Sequence, residues 1–276
     1  MTLLVPSDFS PLSRVAVFYA VELAKSLHAK VIVVAVIDPN PTSETLLHSK
    51  KLEEEMISAV NQDAEDLMRQ IRDKVSTPQS IEFHTATGFP LEEVIGGLVK
   101  KFNADMIVVG SKGATGLMRV LLGSNAVAVI NNSSVPVAVI PENAAFAPLK
   151  RIVYATDMNS YREETKTVAM FASLFNAEVK ILHVLRGDTG REIDTGSIVN
   201  ELIGMTNYER ISFEILKGND IAEAVDTYVT QTNADLLAMF THHLDFYEKL
   251  FGRSVTRRLA FHTRVPLLTF NKTTLE

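Results

Sequence analysis

Apolar residues follow two alternating rhythms along the first half of the chain. Lys30 to Ile37 is an almost continuous apolar run, as expected for a strand that is buried on both faces of a sheet. A later, highly charged stretch repeats apolar residues at the spacing of one helix face: Leu52, Met56, Val60, Leu67 and Ile71. This alternation predicts βαβ units and therefore a parallel sheet.

The other elements of the first half extend the same alternation. Ser10-Pro11 predicts an N-cap followed by a proline at the first helical position. Further strands are predicted at about Leu3–Pro6, Ile81–Ala86, Met106–Val109 and Val135–Ile140. Further helices are predicted from Pro90 to about Phe102 and from near Gly123 to Asn132.

The second half of the chain repeats the first. The segment Leu3 to Asp8 resembles Arg151 to Asp157, and Val31 to Val36 resembles Val179 to Val184. Several residues also recur 130 positions later: Gly88, Glu93, Asn103-Ala104-Asp105 and Val135-Pro136. Because Asp8 and Asp157 are 149 positions apart, the second copy is 19 residues shorter, nearly all between its second and third strands.

A period of this length predicts that each copy is a whole domain. The boundary is expected in the stretch Pro141 to Pro148, which gives domains at residues 1–143 and 149–276. The expected fold class is α/β, with two tandem Rossmann-like domains, each a five-stranded parallel sheet with helices on both faces. In the second copy, Asp188 to Gly204 replaces much of the long second helix and predicts a loop with a short helix.

Composition narrows the class of protein. The chain has 46% hydrophobic and 22% charged residues, as in a globular protein with a filled core, and its net charge of −6 argues against nucleic-acid binding. It has no cysteine, which excludes disulfides and thiolate metal sites. The first residues, Met1 to Asp8, lack the features of a signal peptide, and no apolar run is long enough for a membrane span. We therefore expect a cytoplasmic protein.

The candidate chemistry lies after the predicted fourth strand, in the spacing Gly110-x2-Gly113-x9-Gly123-Ser124. Ligands bind open α/β sheets outside the carboxyl ends of their strands, and glycines let backbone N–H groups approach phosphate oxygens. The helix that begins near Ser124 would add free N–H groups and a positive dipole end. The spacing differs from a Walker A loop and from the dinucleotide fingerprint, so a glycine-rich surface loop is the alternative.

Together with four other segments, this glycine pattern resembles the universal stress protein family over essentially the whole chain. The other carriers of the resemblance are Pro6-Ser7-Asp8-Phe9-Ser10, Val36-Ile37-Asp38, Gly88-Phe89-Pro90-Leu91-Glu92-Glu93 and Val135-Pro136-Val137. Members of the family with these glycines bind ATP, commonly with a divalent cation such as Mg²⁺. The resemblance therefore implies an ATP-binding protein of the stress response, here as a tandem pair.

The resemblance also implies a role for individual residues. Asp8 would lie by the adenosine, beside Pro6 and Ser7, and the backbone of Val36 would meet the adenine edge. The ribose and phosphates would border on the end of the fourth strand and the glycine loop, and the phosphates would be held at the start of the following helix. The residues so implied are Val109, Gly110, Gly113, Gly123, Ser124 and Asn125.

Each assignment has a purely structural alternative. Asp8 could cap the first helix, and Ser124 could be an ordinary N-cap. Lys112 and Arg119 could attract phosphate, or could be solvated surface residues.

The second copy departs from the pattern at the glycines. Gly110 becomes Phe240, Gly113 becomes His243 and Gly123 becomes Arg253, while Ser254 is retained. These side chains would enter space that the glycines leave open, so we expect one ATP per chain. The adjacent His242 and His243 do not predict a metal site, since neighbouring residues in a chain rarely point at one ion. Basic residues around the following helix start could bind an anion or be solvated: Arg253, Arg257, Arg258 and His262.

Three classes of function remain open: a regulatory nucleotide-binding protein, a slow ATPase, and an interaction scaffold without nucleotide. No Asp, Glu or His constellation is placed by its spacing at a γ-phosphate, so slow hydrolysis is the most that the sequence favours. The fifth strands, Val135–Ile140 and Val265–Phe270, lie at predicted sheet edges, where strands can pair. This predicts pairing of the two domains within one chain, with a homodimer as a further possibility.

Overall fold

A computed structural model describes residues 1–38, 49–75, 80–111, 124–186, 193–240 and 265–271. Among these residues the chain divides into two compact units, with the division between Phe146 and Ala147. We call them unit 1 and unit 2. Each unit is an α/β domain with five described strands, which confirms the predicted fold class.

Unit 1 holds five strands and four helices in the described residues. The strands are β1 (Thr2–Pro6), β2 (Lys30–Ile37), β3 (Ile81–Thr87), β4 (Met106–Gly110) and β5 (Val137–Ile140). The helices are α1 (Pro11–Leu27), α2 (Ser49–Lys74), α3 (Leu91–Phe102) and α4 (Ser124–Asn132). The strand order is β3-β2-β1-β4-β5, and every described pairing is parallel. Chain order therefore reverses between β1 and β4.

Unit 2 repeats the plan. Its strands are β6 (Arg151–Thr156), β7 (Glu178–Leu185), β8 (Ile211–Lys217), β9 (Leu236–Phe240) and β10 (Leu267–Phe270). Its described helices are α5 (Tyr161–Ser173), α6 (Thr195–Thr206) and α7 (Ile221–Gln231). The strand order is β10-β9-β6-β7-β8, again with parallel pairing.

The central strands are buried on both faces. Leu3, Leu4 and Val5 of β1 are consecutive and therefore point to alternate faces, yet all three are 0% exposed. β4 is likewise buried along its whole length. Helices must therefore cover both faces of the sheet, as the unbroken apolar runs predicted.

The repeated Asn-Ala-Asp segments lie at the amino edge of each sheet. Asn103 is the C-cap of α3 and Asn233 follows the C-cap of α7, and both are in the left-handed conformation, with φ of 47° and 49°. The next aspartates, Asp105 and Asp235, donate their backbone N–H to Thr2 and Arg151, each over 2.9 Å. Their side chains accept bonds from the first strand of the same unit. These repeated residues therefore tie a helix end to the sheet, and their recurrence reflects folding.

Three predicted starts are wrong by one or two residues, and one of them is that of β10, which begins at Leu267 and not at Val265. Helix α3 begins at Leu91 and not at Pro90, which is its N-cap with an extended ψ of 159°. Strand β5 begins at Val137 and not at Val135, because the hydroxyl of Ser133 bonds both the N–H and the carbonyl of Val135. The predicted N-cap of α1 is confirmed, since the Ser10 hydroxyl accepts the N–H of Ser13. The predicted short helix after β7 is α6.

Candidate functional site

The pairing of β1 with β4 stops before the carboxyl edge of unit 1, at the place where open α/β sheets have a crevice. Their pairing ends at Leu4 and Ile107, although the strands continue to Pro6 and Gly110. On the other side of β1, pairing with β2 continues as far as Pro6 and Val34. This divergence lies where the strand order reverses, which is the place where open α/β sheets bind ligands.

The turn from β1 to α1 lies beside this position. The Ser7 hydroxyl is buried, accepts the N–H of Phe9 over 3.1 Å and lies 3.0 Å from the hydroxyl of Ser13. Asp8 is exposed, and its Oδ1 accepts the N–H of Ser10 over 3.1 Å. Phe9 has a φ of 56°, which is uncommon for a bulky residue. The side chains of Ser7 and Asp8 thus hold a tight turn that leaves the carboxylate at the surface.

Asp8 does not cap α1. The helix begins at Pro11 with Ser10 as its N-cap. The Asp8 carboxylate accepts the N–H of Ser10 and so bonds the backbone just before the helix begins. The structural alternative considered for Asp8 is therefore wrong in its detail, although the residue does shape the local backbone.

The predicted strand residues lie at the ends of neighbouring strands. Val36 is half-buried near the end of β2, while Val109 and Gly110 are the last two residues of β4 and are buried. After them the N–H of Ser111 bonds the carbonyl of Ile140 over 2.9 Å, so the chain follows β5 before it leaves the sheet. The structure therefore brings the strand-end candidates of β1, β2 and β4 to one edge.

The phosphate end of the predicted site is described only in part. Ser124 is the first residue of α4, and Asn125 is exposed in its first turn. The first N–H groups of a helix have no partner within it and favour anions. Gly113 and Gly123 lie outside the described residues, as do Lys112 and Arg119. The assignment of site residues as a set stays a prediction.

Unit 2 keeps the turn at the same edge. The Thr156 hydroxyl accepts the N–H of Met158 over 3.1 Å, and Asp157 accepts the N–H of Asn159 over 2.9 Å. Met158 has a φ of 75°, matching the left-handed residue of the first copy. The two hydrogen bonds and the backbone conformation of the turn are therefore the same in both units.

Unit 2 differs at the end of its β9 strand, where Phe240 stands in the place of Gly110. The Phe240 ring is 3% exposed and stacks on Phe270 with their centroids 5.0 Å apart. It also meets the ring of Tyr154 edge-on at 5.7 Å. A packed aromatic ring thus occupies the strand end that carries no side chain in unit 1. The other substituted positions, His243 and Arg253, lie outside the described residues, with the nearby basic cluster.

A buried polar pair lies beneath the same edge of unit 2. The hydroxyl of Tyr154 donates to a carboxylate oxygen of Glu164, and both side chains are 1% exposed or less. Burial, followed by the neighbouring Glu164 charge, raises the pKa of Tyr154 well above its usual value. At the matching strand and helix positions unit 1 has Val5 and Ala16, each 0% exposed. The two units therefore differ in their cores as well as at the end of the fourth strand.

Sequence reasoning assigned no role to Ser13, Phe9 or Phe89. Ser13 is buried behind Ser7, and Phe9 stacks on Phe83 with centroids 6.4 Å apart. Phe9 was named only within the segment Pro6 to Ser10 that carries the resemblance, and Ser13 belongs to no quoted motif, so neither residue had a signal of its own. Phe89 is 67% exposed just beyond β3, and the segment that contains it was recognised only as part of the resemblance.

An exposed ion pair lies at the opposite edge of unit 1. Lys30 contacts Glu82 over 2.7 Å, and this hydrogen bond, followed by that of His84, lowers the pKa of Glu82. Within the described residues no three His, Asp or Glu side chains are grouped as metal ligands would be. The same part of the chain contains no helix that is long and apolar enough to cross a membrane.

Comparison with known proteins adds the family. The profile of the universal stress protein family matches residues 1–141 and 148–271. A universal stress protein of Methanocaldococcus jannaschii is 31% identical over 140 residues, which are 50% of this chain and 80% of that protein. Universal stress protein A homolog 1 of Coxiella burnetii is 32% identical over 124 residues, 45% of this chain and 84% of its own.

A solved structure has the same fold over nearly the whole length. The universal stress protein of Archaeoglobus fulgidus aligns with a TM-score of 0.66 and 19% identity, covering 98% of this chain and 96% of that one. The family match in two segments agrees with the internal repeat.

Proposed function

Because the chain belongs to the universal stress protein family, we propose that it is an ATP-binding regulatory protein of the stress response with one nucleotide site, in unit 1. The observation that carries the proposal is the contrast at the fourth strand of each unit. Both units keep the same strand-end turn, but β4 ends in Gly110 whereas β9 ends in the packed ring of Phe240. Unit 1 alone keeps this strand end free of a side chain.

The residues of unit 1 fit an adenine nucleotide. The exposed carboxylate of Asp8 can accept hydrogen bonds from ribose hydroxyls, and the end of β2 at Val36 offers backbone groups to a base edge. Gly110 allows a close approach to the β4 end, and the first turn of α4, at Ser124 and Asn125, offers N–H groups to phosphates. In this proposal Gly113 and Gly123 complete the phosphate end, and Mg²⁺ accompanies the triphosphate.

The proposal is tested on the purified whole chain. Protein is denatured after purification, any released nucleotide is identified by chromatography, and ATP is then titrated with and without Mg²⁺. We expect an adenine nucleotide to co-purify or bind, and a Gly113→Val variant to lose it. If neither the released material nor the titration shows an adenine nucleotide, the proposal is wrong and the interaction scaffold is favoured.

An ATPase is distinguished by turnover. Regulatory binding predicts at most slow hydrolysis, because phosphoryl transfer needs a positioned base or water-orienting group, and the spacing of Asp, Glu and His in the sequence places none at a γ-phosphate. Phosphate release is followed over many equivalents of ATP. Linear release over many turnovers that is abolished by substitutions at Asp8 and Ser124 would establish an enzyme instead.

We also propose that the two units pair through β5 and β10, the outermost strands of their own sheets, so that one cytoplasmic chain imitates a dimer. An outermost strand presents backbone groups for pairing. The chain has no cysteine, so a Val139→Cys and Thr269→Cys double variant contains only the introduced pair. Oxidation should give an internal disulfide at the mass of one 30.5 kDa chain, and a cross-link found only between chains would contradict the pairing.

A further inference from the structure

Phe89 is an aromatic side chain left in solvent at the carboxyl edge of unit 1. It is 67% exposed, and every other phenylalanine or tyrosine in the part of the chain that the structure describes is at least partly covered. The other aromatic residues near this edge are covered; Phe9 is 7% exposed and stacks on Phe83. An isolated exposed phenylalanine is unremarkable on a surface, so its position decides whether it has a role.

The backbone holds Phe89 beside the end of β2. Val36 pairs with Ala86 and Ile37 with Thr87, and the N–H of Gly88 continues the ladder to the carbonyl of Ile37 over 3.0 Å. Phe89 follows directly and precedes Pro90, the N-cap of α3. From strand spacing, the Cα of Phe89 lies roughly 10 Å from the Cα of Val36, and both residues lie at the carboxyl edge of the sheet.

We propose that Phe89 is a base-stacking residue of the unit 1 nucleotide site. The proposal rests on the proposed function, in which the adenine edge meets the backbone of Val36. A base that extends from the end of β2 toward β3 would come within reach of the exposed ring, and every base has a π-face on which an aromatic side chain can stack. Stacking would cover the ring that is exposed in the free protein.

Unit 2 supplies an internal comparison. There the N–H of Gly218 bonds the carbonyl of Leu185 over 3.0 Å, and Asp220 is the N-cap of α7. The residue between them, in the place of Phe89, is Asn219. The same backbone framework therefore forms without an aromatic residue. The phenylalanine is found in the unit proposed to bind nucleotide, and it is absent from the unit with the filled strand end.

The chain contains no tryptophan, so Phe89→Trp places a single fluorescent reporter at the position. We expect ATP to quench its emission, because the base stacks on the indole, whereas inorganic tripolyphosphate, which has no base, should leave the emission unchanged. Asn219→Trp is the matched control in unit 2, and its emission should not respond to ATP.

Affinity gives a second, independent readout. Phe89→Asn, which copies unit 2, should weaken ATP binding by about tenfold to a hundredfold, the range of a lost base–aromatic stack. Its affinity for tripolyphosphate should match that of the unchanged protein. Phe89→Leu should weaken ATP binding similarly, because it keeps an apolar side chain but removes the ring. Circular dichroism and thermal unfolding should show that all variants fold.

The outcomes are distinguishable. If the unchanged protein binds ATP but Phe89→Asn binds it equally well and Phe89→Trp gives no quenching, the stacking role is wrong while the proposed function stands. If affinity for tripolyphosphate falls as much as that for ATP, the ring acts on the whole site and the stacking role is again wrong. If the unchanged protein binds no ATP, both proposals fail together.

Discussion

Asp8 and Asp157 occupy the same place in two copies of one turn. Each accepts the backbone N–H two residues later, over 3.1 Å and 2.9 Å. Each also lies between the first strand of its unit and the helix that follows. Substituting either one removes this backbone hydrogen bond, and substituting Asp157 also removes the bond that the side-chain amide of Asn159 donates over 2.9 Å. A loss of ATP affinity on substitution of Asp8 alone therefore places the nucleotide site in unit 1.

Asp8→Ala should weaken ATP binding by about tenfold or more, because a hydrogen bond to a charged group contributes roughly 1.5–3 kcal/mol. Asp157→Ala should leave ATP affinity unchanged. Calorimetric titration of both variants measures the difference. Equal affinities for the two variants would show that Asp8 serves only its turn.

The residue roles could be predicted only in part. The sequence located Asp8, Gly110 and Ser124 at strand and helix ends because periodicity stops there. It predicted Ser10 as the N-cap of α1 but left Asp8 open as a further cap, since both residue types cap helices and the choice depends on backbone geometry. It could not predict that Phe89 stays exposed, because exposure depends on what the rest of the fold covers.

At the scale of the elements, the connection between β3 and α3 has no room for a side chain at Gly88, whereas the connection between β8 and α7 has room for a Cβ at Gly218. A Cβ on Gly88 would lie 2.7 Å from Cγ2 of Val94, and its φ of 157° is rare for L-residues. A Cβ on Gly218 would lie 3.4 Å from Cβ of Ala224, an ordinary contact. The repeated glycines are therefore unequal in what they require.

Gly88→Ala should destabilise the protein by about 1–3 kcal/mol, the usual cost of crowding a packed site. Gly218→Ala should be neutral or stabilise it by a few tenths, because alanine restricts the unfolded chain. Urea unfolding of the two variants provides the comparison. Destabilisation of equal size at both positions would contradict the geometry of this connection.

The buried pair under β6 makes a second prediction at this scale. Tyr154→Phe should cost about 1–3 kcal/mol, because the buried Glu164 carboxylate loses the hydroxyl that donates to it. Adding Glu164→Met should recover part of that loss, because the buried charge is removed with its partner. Urea unfolding measures both steps. A double variant less stable than Tyr154→Phe alone would contradict this account of the pair.

The same tyrosine links stability to alkaline pH. Its pKa is raised in the folded state, so the folded protein holds the proton after the unfolded chain has released it. The free energy of unfolding that this tyrosine contributes is fully present below the unfolded pKa near 10. Above that pH it is lost, at up to about 1.4 kcal/mol per pH unit. Tyr154→Phe should therefore lose stability less steeply above pH 10. An unchanged slope, measured by unfolding between pH 9 and 11, would contradict the buried phenol.

At the scale of the whole molecule, the sequence predicted the duplication and the α/β class correctly. Unbroken apolar strands require helices on both faces, and offsets between repeated residues locate the copies. The sequence could not predict the contacts around Phe240 in unit 2. The Phe240 ring packs against Tyr154 and Phe270, and Tyr154 donates a hydrogen bond to Glu164. Those contacts join residues distant in the chain, which periodicity does not pair.

The central claim is that a duplicated fold keeps one nucleotide site of two. The number of ATP molecules bound per whole chain, measured by calorimetric titration with Mg²⁺, tests it most directly. The account predicts one, with binding weakened by Asp8→Ala and unchanged by Asp157→Ala. A stoichiometry of two, or a single site weakened by Asp157→Ala instead, would contradict it.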